Sequence, residues 1–332
     1  MKKLYIIASL NIIFLQANPQ ENQPVTRAVW SHGWGPASQK DVQDNCIFYQ
    51  NHSCLPKTTL FPVYEDANQG NLLKTYLGQG KDITDLAARC DIQNQNGSYF
   101  LYGISRGAAA SLHFVATNKH QENLRALVLE SGPADILQTN NTRKIENILG
   151  FHLPSWLLAP IVYCISKGRF PRAPINTLDA IQKIENKNLP ILILHGEQDT
   201  LIEPDHAYKL YMTLKKAGFK SVYLRICKEG QHCNTFLTTQ AQETIKQFYT
   251  AYNINPTSAA TSYTQEEKTN ALNALQKNCQ PSLDNITNLH NILVTQQQQE
   301  QKRLMQPAQK RNKLIAAATA TSLIALKILS NT

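Results

Sequence analysis

Short apolar runs alternate with helical patterns of apolar and polar residues between positions 27 and 250. The runs predict strands at Arg27–Ser31, Thr58–Tyr64, Tyr99–Gly103, Arg125–Glu130, Pro190–His195 and Ser221–Cys227. The helical patterns lie at 38–50, 82–93, 106–118, 204–217 and 234–250. Some runs, such as Ile191–Leu194, are continuously apolar, which is typical of strands that are buried on both faces. The alternation therefore predicts an α/β fold, with helices on both faces of a mostly parallel sheet.

One interval, residues 134–188, lacks a clear strand pattern. It contains the strongly apolar segment Leu153–Ser166, which includes two prolines. We predict a helical insertion here. Its apolar face fits two arrangements: a helix packed on the sheet, or a helical cap that lines a site at the edge of the sheet.

The first 17 residues predict a secretory signal peptide. Lys2 and Lys3 form a positively charged start, Leu4–Leu15 is an apolar stretch, and Ala17 is a small residue suited to cleavage. The same stretch also fits a buried strand or an uncleaved anchor. The prediction assigns residues 18–255, the α/β domain, to an exported protein that is either periplasmic or secreted.

Residues 256–313 are rich in Gln and Asn, and Leu272, Leu275 and Cys279 recur at helical spacing. We predict a helical tail that ends in a basic cluster, followed by a short apolar helix at 314–329. Sixteen helical residues span about 24 Å, whereas the hydrocarbon core of a bilayer is about 30 Å thick. Membrane contact through 302–329 is one prediction for this tail, and packing on a protein partner is the other.

The net charge of +9 is concentrated near the ends of the chain. No basic stripe with interleaved aromatic residues marks the central region, so we predict no nucleic-acid partner. The seven cysteines allow at most three disulfides within an exported chain, and their pairing stays open. Cys227, His232 and Cys233 are not accompanied by a second set of metal-ligand spacing, and we predict no metal and no cofactor.

A serine lies between two glycines directly after the third predicted strand, in Gly103-Ile104-Ser105-Arg106-Gly107. A serine at a tight strand-to-helix turn is held in a strained backbone with its hydroxyl exposed. Glycines two residues away on either side leave room in the crowded turn, and the N-terminus of the next helix stabilises negative charge. The spacing therefore indicates that Ser105 is a nucleophile.

A base and an acid are expected after later strands, in the chain order serine, acid, histidine. Asp199 follows the strand that ends at His195, and His232 follows the strand that ends at Cys227. The carboxyl ends of parallel strands meet at one edge of a sheet, where a carboxylate can orient an imidazole that takes the serine proton. Glu130, at the end of another predicted strand, is the alternative acid.

An oxyanion needs two backbone N–H donors. One is expected from Arg106, directly after the nucleophile. The other is expected from Trp34, in the glycine-rich stretch Ser31-His32-Gly33-Trp34-Gly35 after the first strand. We expect His32 and Gly33 to support this loop rather than to react.

As a set, these motifs resemble the α/β-hydrolase superfamily. The matching residues are His32-Gly33, Gly103-Ile104-Ser105-Arg106-Gly107, His195-Gly196-x-x-Asp199 and Gly230-x-His232. The stretch 194–232 looks most like prolyl-oligopeptidase-type members and small esterases or thioesterases. The resemblance covers residues 27–250 and implies the superfamily's sheet, catalytic triad and oxyanion hole. Two departures, Ala108 after Gly107 and Glu203 between Ile202 and Pro204, weaken a peptidase assignment more than a hydrolase assignment.

The sequence thus predicts a serine hydrolase that cleaves an acyl ester or thioester, with a small-molecule acyl or peptide compound as its substrate. Ser105 attacks the carbonyl, His232 serves as base and then as acid, and Asp199 orients His232. Two alternatives stay open. The first is an oligopeptide or aminoacyl hydrolase, in which a nearby acidic residue such as Glu197 or Glu203 holds a substrate amine. The second is a non-catalytic module whose tail binds it to a membrane or a partner.

Overall fold

The computed structural model describes residues 23–33, 38–64, 76, 78–118, 121–135, 176–257 and 262–281. Within these residues one sheet contains six parallel strands in the order β2-β1-β3-β4-β5-β6. The strands are β1 (Ala28–Ser31), β2 (Thr59–Leu60), β3 (Tyr99–Ile104), β4 (Leu124–Glu130), β5 (Ile191–Gly196) and β6 (Val222–Cys227). The chain runs from β1 outward to β2 and then returns to the other side of β1 with β3. This reversal leaves a crevice at the carboxyl ends of β1 and β3, where open α/β sheets bind their ligands.

Helices cover both faces of the sheet. The helices are α1 (Gln39–Asn51), α2 (Lys81–Asn96), α3 (Arg106–Thr117), α4 (Thr177–Lys183), α5 (Asp205–Lys216), α6 (Thr239–Ala251) and α7 (Gln265–Asn278). Successive strand residues point to opposite faces. In β3, Leu101 packs in the core shared with α2, α3, α4 and α5, whereas Phe100 and Tyr102 pack in the core shared with α1, α6 and α7. The predicted fold class is confirmed.

Two predicted elements differ from the structure. The second strand contains only Thr59 and Leu60 instead of residues 58–64. Pro62 has no N–H to donate to a ladder, so this edge strand is short. The helix predicted at 234–250 is divided into a short 3₁₀ helix, Thr235–Leu237, and α6. Thr238 separates the two because its side chain accepts the Ala241 N–H and caps the start of α6.

Part of the predicted insertion, 134–188, packs on the sheet. Ala180 and Ile181 of α4 are buried in the core beside α3. Residues 136–175, which include the apolar segment 153–166, lie outside the described residues. The predicted cap therefore stays a prediction.

The described part of the predicted tail, beyond the boundary predicted at 255, packs on the α/β domain. In α7, Leu275 and the following Cys279 are buried in the core next to α6. The Leu224 N–H of β6 donates to the Cys279 carbonyl (3.0 Å), and the Arg225 guanidinium donates to the Asn278 carbonyl (2.9 Å). The first compact unit extends to Gln280.

Six cysteines within the described residues are free thiols, and most of them are buried. No helix in these described ranges is both long and apolar enough to cross a bilayer. The predicted signal peptide at 1–17, the rest of the tail to 313 and the apolar helix at 314–329 lie outside the described residues. Export and membrane contact through 302–329 therefore stay predictions.

Candidate active site

The turn between β3 and α3 presents Ser105 in a strained backbone, with φ of +51° and ψ of −118°. A non-glycine residue pays a steric cost in this region and keeps it only where the surrounding structure enforces it. The enforcement comes from close backbone packing. A Cβ on Gly107 would lie 1.9 Å from the Ser31 carbonyl oxygen, and one on Gly103 would lie 2.6 Å from the Ser111 hydroxyl. Glycine is required on both sides of Ser105 for this reason.

The structure brings Ser105, His232 and Asp199 together in one chain of contacts. The Ser105 hydroxyl lies 3.0 Å from His232 Nε2. On the other side of the ring, His232 Nδ1 lies 2.8 Å from Asp199 Oδ2. A carboxylate can only accept, so Nδ1 carries the proton and Nε2 is left as the acceptor for the serine hydroxyl.

The loop after β5 holds Asp199 in place. Its Oδ1 accepts the N–H groups of Leu201 (3.0 Å) and Ile202 (2.9 Å). Burial alone would raise the pKa of Asp199, but the hydrogen bonds from His232 and Ile202 and the two nearby imidazoles hold that pKa below its usual value. Asp199 is therefore ionised at neutral pH.

His195 fixes the same loop from inside the sheet. Its Nε2 lies 2.7 Å from the Ile202 carbonyl oxygen, which can only accept, so this nitrogen carries a proton. The same nitrogen lies 3.4 Å from Asp199 Oδ2. Burial lowers the pKa of His195, so the ring is a neutral donor that ties both ends of the loop together.

The residues predicted to form the oxyanion hole are described in part. Arg106 is the first residue of α3, and the first N–H groups of a helix lack acceptors within the helix. His32 is buried, and its Nδ1 donates to the Gly33 carbonyl (2.7 Å). Gly33 lies against Ser105, since a Cβ there would be 3.3 Å from the Ser105 Cβ. Trp34 lies outside the described residues.

The Arg106 side chain turns away from Ser105 into the core. Its Nε lies 3.7 Å from Asp82 Oδ2, and both side chains are almost fully buried. The guanidinium carbon lies 4.5 Å from the centre of the Tyr64 ring, and the Tyr64 hydroxyl lies 2.5 Å from the Ser31 hydroxyl. Arg106 thus links α2 and α3 to the end of β1, where the predicted oxyanion loop begins.

Glu130, the alternative acid, contacts other partners than His232. Its carboxylate accepts hydrogen bonds from the hydroxyls of Tyr49 (3.2 Å) and Tyr102 (2.9 Å) and from the Phe236 N–H (3.1 Å). The acid at His232 Nδ1 is Asp199. Sequence reasoning missed the two tyrosines, because no local motif marks residues that converge from a helix and a strand far apart in the chain.

Cys233, directly after His232, is a thiol next to Ser105. A Cβ on Gly33 would lie 3.6 Å from its sulfur and 3.3 Å from the Ser105 Cβ, so the two side chains border the same space. Burial and the nearby carboxylates of Glu130 and Asp199 raise the pKa of Cys233 well above its usual value. The thiolate is the reactive form of cysteine, so the raised pKa keeps Cys233 in its less reactive, protonated form.

Among the described residues, no group of histidine, cysteine or acidic side chains is arranged to hold a metal ion. Both ring nitrogens of His232 are in contact with Ser105 and Asp199. The arrangement is that of a proton-transfer chain.

A family model described as the prolyl oligopeptidase family matches residues 81–253, just over half of the chain. The chain belongs to the prolyl oligopeptidase family. The match includes the Ser105 turn, the Asp199 loop and His232. It confirms the resemblance that the motifs indicated, and the family is one of serine hydrolases. This prolyl oligopeptidase family member departs from the usual motif at Ala108, where the family has a second glycine.

Solved structures with a similar fold include esterases and a peptidase. An esterase from Pyrococcus furiosus is 18% identical, with a TM-score of 0.45, and the match covers 70% of this chain and 82% of that chain. An acylaminoacyl peptidase from Pyrococcus horikoshii is 15% identical, with a TM-score of 0.44, over 75% of this chain and 40% of that chain. A lipase-esterase related protein from Clostridium acetobutylicum is 16% identical, with a TM-score of 0.43, over 67% and 92%. No curated protein matches the chain.

Proposed function

We propose that this family member is a serine hydrolase that cleaves an acyl ester or thioester through Ser105, His232 and Asp199. The observation that carries the proposal is the unbroken contact chain from the Ser105 hydroxyl to His232 and on to Asp199. A binding module has no need of a strained serine, a correctly oriented imidazole and an ionised carboxylate at one sheet edge.

The proposed reaction begins with the Ser105 oxygen attacking the substrate carbonyl carbon while His232 Nε2 takes the serine proton. Asp199 holds the Nδ1 proton and stabilises the imidazolium that forms. His232 then donates its proton to the leaving alcohol or thiol, and an acyl-enzyme ester on Ser105 remains. Water, deprotonated by His232, attacks that ester, and the carboxylic acid leaves as Ser105 recovers its proton.

The negative charge on the tetrahedral oxygen is assigned to two backbone donors. The Arg106 N–H is the first, at the positive end of α3. The Trp34 N–H is the second, by analogy with the family motif, and Gly33 lies against Ser105 directly before it. Removing one such donor costs on the order of 10²- to 10³-fold in rate.

Peptide or aminoacyl amide hydrolysis is the second candidate, and the family match itself favours it. The motif departures at Ala108 and Glu203 favour the ester or thioester. A peptidase also has to hold the substrate's amine or peptide backbone. Glu197 is the acidic residue nearest Asp199 in the sequence and a candidate to hold an amine, and its side chain is exposed. Amides are the harder substrates because their leaving group must be protonated as the bond breaks.

Covalent labelling of the full-length chain with a fluorophosphonate probe tests the proposal. Wild type is expected to label, and Ser105→Ala and His232→Ala are expected to lose at least about 10⁴-fold in labelling rate. Ser98→Ala is the control, because Ser98 lies at the opposite end of β3, where its hydroxyl accepts from Arg125. A folded wild type that does not label, or a Ser105→Ala variant that does, contradicts the proposal and favours the non-catalytic module.

A substrate panel then separates the two candidates. Acyl p-nitrophenyl esters and acyl thioesters of short and long chains are compared with aminoacyl and peptidyl p-nitroanilides. For each compound, kcat/KM is divided by the rate constant of its hydroxide-catalysed hydrolysis, which corrects for intrinsic reactivity. We expect the corrected value to be higher for the esters or thioesters than for the anilides. A preference for the anilides on this scale assigns the chain to peptide chemistry.

A further inference from the structure

Glu130 is in contact with both halves of the candidate active site. It is the last residue of β4, and its side chain is fully buried. Its backbone carbonyl accepts the Ser105 N–H (2.8 Å). Its carboxylate accepts the Phe236 N–H (3.1 Å), four residues after His232. One residue therefore anchors the turn of the nucleophile through its backbone and the loop of the base through its side chain.

Tyr49 of α1 gives the loop a second anchor. Its hydroxyl lies 3.2 Å from Glu130 Oε2 and 3.3 Å from the Cys233 carbonyl oxygen. Its ring is stacked on Phe236, with 3.8 Å between ring centres. Two contacts thus hold the segment 232–236. Tyr49 contacts the Cys233 carbonyl near its start, and Glu130 accepts the Phe236 N–H at its end.

A charged carboxylate is an expensive choice for this position. Burying an ionised group costs free energy unless partners compensate for it. A neutral amide of the same size can accept the Phe236 N–H, but its NH2 group would face the two tyrosine hydroxyls in place of an acceptor. The pocket lining is aromatic, with Tyr49, Tyr102 and Phe236 around the carboxylate. The three donors account for two acceptor oxygens at this position, and the charge that comes with them is available to a cationic neighbour.

The charge of Glu130 responds to pH in the physiological range. Burial raises the pKa of Glu130 to about 7, against the hydrogen bonds from Phe236, Tyr102 and Tyr49 and the charge of His232, which lower it. The other ionisable groups that interact with Glu130 stay neutral through this range because burial raises the pKa of each: Tyr49, Cys54, Tyr102, Cys227, Cys233 and Tyr249. Within the described residues, His232 is the cationic partner whose charge acts on Glu130.

We propose that Glu130 is a positioning residue for the base, whose ionised carboxylate anchors the 232–236 loop and stabilises the imidazolium that forms when His232 takes the serine proton. The inference rests on the proposed function, because it requires His232 to act as the base. It gives the site two carboxylates with separate roles. Asp199 orients the ring by direct contact, and Glu130 acts through the loop and through its charge.

The labelling rate of the full-length chain with a fluorophosphonate, measured from pH 5 to pH 9, tests this role with Glu130→Gln. The variant keeps the size of the side chain and an acceptor for the Phe236 N–H. It removes the charge and turns the acceptor of the Tyr49 and Tyr102 hydroxyls into an NH2 group, and Tyr102→Phe shows how much of the effect comes from that change. We expect roughly tenfold slower labelling at pH 8, where a misplaced or less stabilised base slows proton transfer. We also expect the acid limb of the profile to move to lower pH, because the negative charge no longer favours protonated His232.

The melting temperature at pH 8 should not fall. Glu243→Gln, which changes an exposed carboxylate on α6, should match wild type.

Two tyrosine variants keep the test decisive if Glu130→Gln does not fold. Tyr49→Phe removes a hydroxyl that reaches both Glu130 and the Cys233 carbonyl, whereas Tyr102→Phe removes one that reaches Glu130 alone. Tyr49→Phe should slow labelling more than Tyr102→Phe. An unchanged rate and acid limb in Glu130→Gln, or a loss of rate that only parallels a lower melting temperature, overturns the inference. Wild-type labelling that Ser105→Ala abolishes shows in the same experiment that the proposed function still stands.

Discussion

The backbones of Gly196 and Gly230 cross so closely that a Cβ on Gly196 would lie 2.2 Å from the Gly230 carbonyl oxygen. Gly196 ends β5 and precedes the Asp199 loop, whereas Gly230 precedes His232. The Gln198 N–H donates to the Gly230 carbonyl (3.0 Å), so the two loops are joined at the same point. The absence of side chains at this crossing sets the distance between the loops that carry Asp199 and His232.

Gly196→Ala is expected to separate the two loops. The neighbour is backbone and cannot swing away, so we expect a loss of roughly 1–3 kcal/mol in the free energy of unfolding and a labelling rate lower by about 10²-fold. Urea unfolding and fluorophosphonate labelling measure the two effects. Gly218→Ala is the control, since Gly218 has φ of +89° but open space around it. It should lose stability by about 1 kcal/mol and label normally, and a similar loss of labelling in both variants would count against the crossing as the cause.

Asp199→Asn is expected to leave the fold intact and to reduce the labelling rate by about 10⁴-fold. The Asn oxygen can still accept the Leu201 and Ile202 N–H groups, but its amide nitrogen faces His232 Nδ1 and favours the wrong tautomer. Circular dichroism checks the fold, and the labelling rate checks the chemistry. Asp179→Asn, on the exposed side of α4, serves as the control. A loss of less than tenfold would point to an acid other than Asp199.

The buried pair of Asp82 and Arg106 is expected to show strong energetic coupling. Asp82→Asn or Arg106→Met alone leaves one charge facing a neutral partner in the core, which typically costs about 3–5 kcal/mol. The double variant should cost less than the sum of the two, with a coupling energy of about 1–3 kcal/mol from urea unfolding. The exposed pair Lys40 and Asp44 is the matched control and should show coupling near zero. Additive costs in the buried pair would show that its charges do not stabilise each other.

The free energy of unfolding should carry a signature of Glu130 that depends on pH. The pKa of Glu130 is about 7 in the folded chain, above its ordinary value of 4.5, so the folded state binds more protons between these values. Its contribution is therefore favourable at low pH and is lost as pH rises from about 4.5 to about 7. Glu130→Gln lacks this loss. The free energy of unfolding of the variant minus that of wild type should therefore increase by roughly 3 kcal/mol from pH 4.5 to pH 8. Urea unfolding at both pH values measures the difference, and a constant difference would contradict the buried charge.

Much of the fold follows from patterns that the sequence displays locally. The continuously apolar run Ile191–Leu194 indicates a strand buried on both faces, and the structure has β5 there. The Ser105 turn is equally local, because its two glycines lie within five residues. The second strand illustrates the limit of such patterns: Thr58–Tyr64 has the composition of a strand, but Pro62 at a sheet edge shortens it to two residues.

The surroundings of the candidate site could not be predicted from the sequence because they depend on contacts between distant elements. Tyr49 and Tyr102 meet Glu130 from α1 and β3, and no spacing links the three. Asp82 pairs with Arg106 only because α2 packs beside α3. Glu130 and Asp199 are both acidic residues at or just after the end of a strand, so the sequence leaves both as candidates for the acid next to His232. Only the structure shows that their hydrogen-bond partners differ.

The hydrogen bonds from β6 to the segment after α7 have a consequence for solubility. β6 is the last strand of the sheet, and an uncovered last strand offers unpaired backbone groups to any other chain that can add a strand. The Leu224 N–H is paired with the Cys279 carbonyl, and the Arg225 side chain donates to the Asn278 carbonyl, so residues 278 and 279 cover part of that border. A shortened chain that stops at residue 255 would keep Ser105, Asp199 and His232 but expose this border, so self-association would be its expected failure.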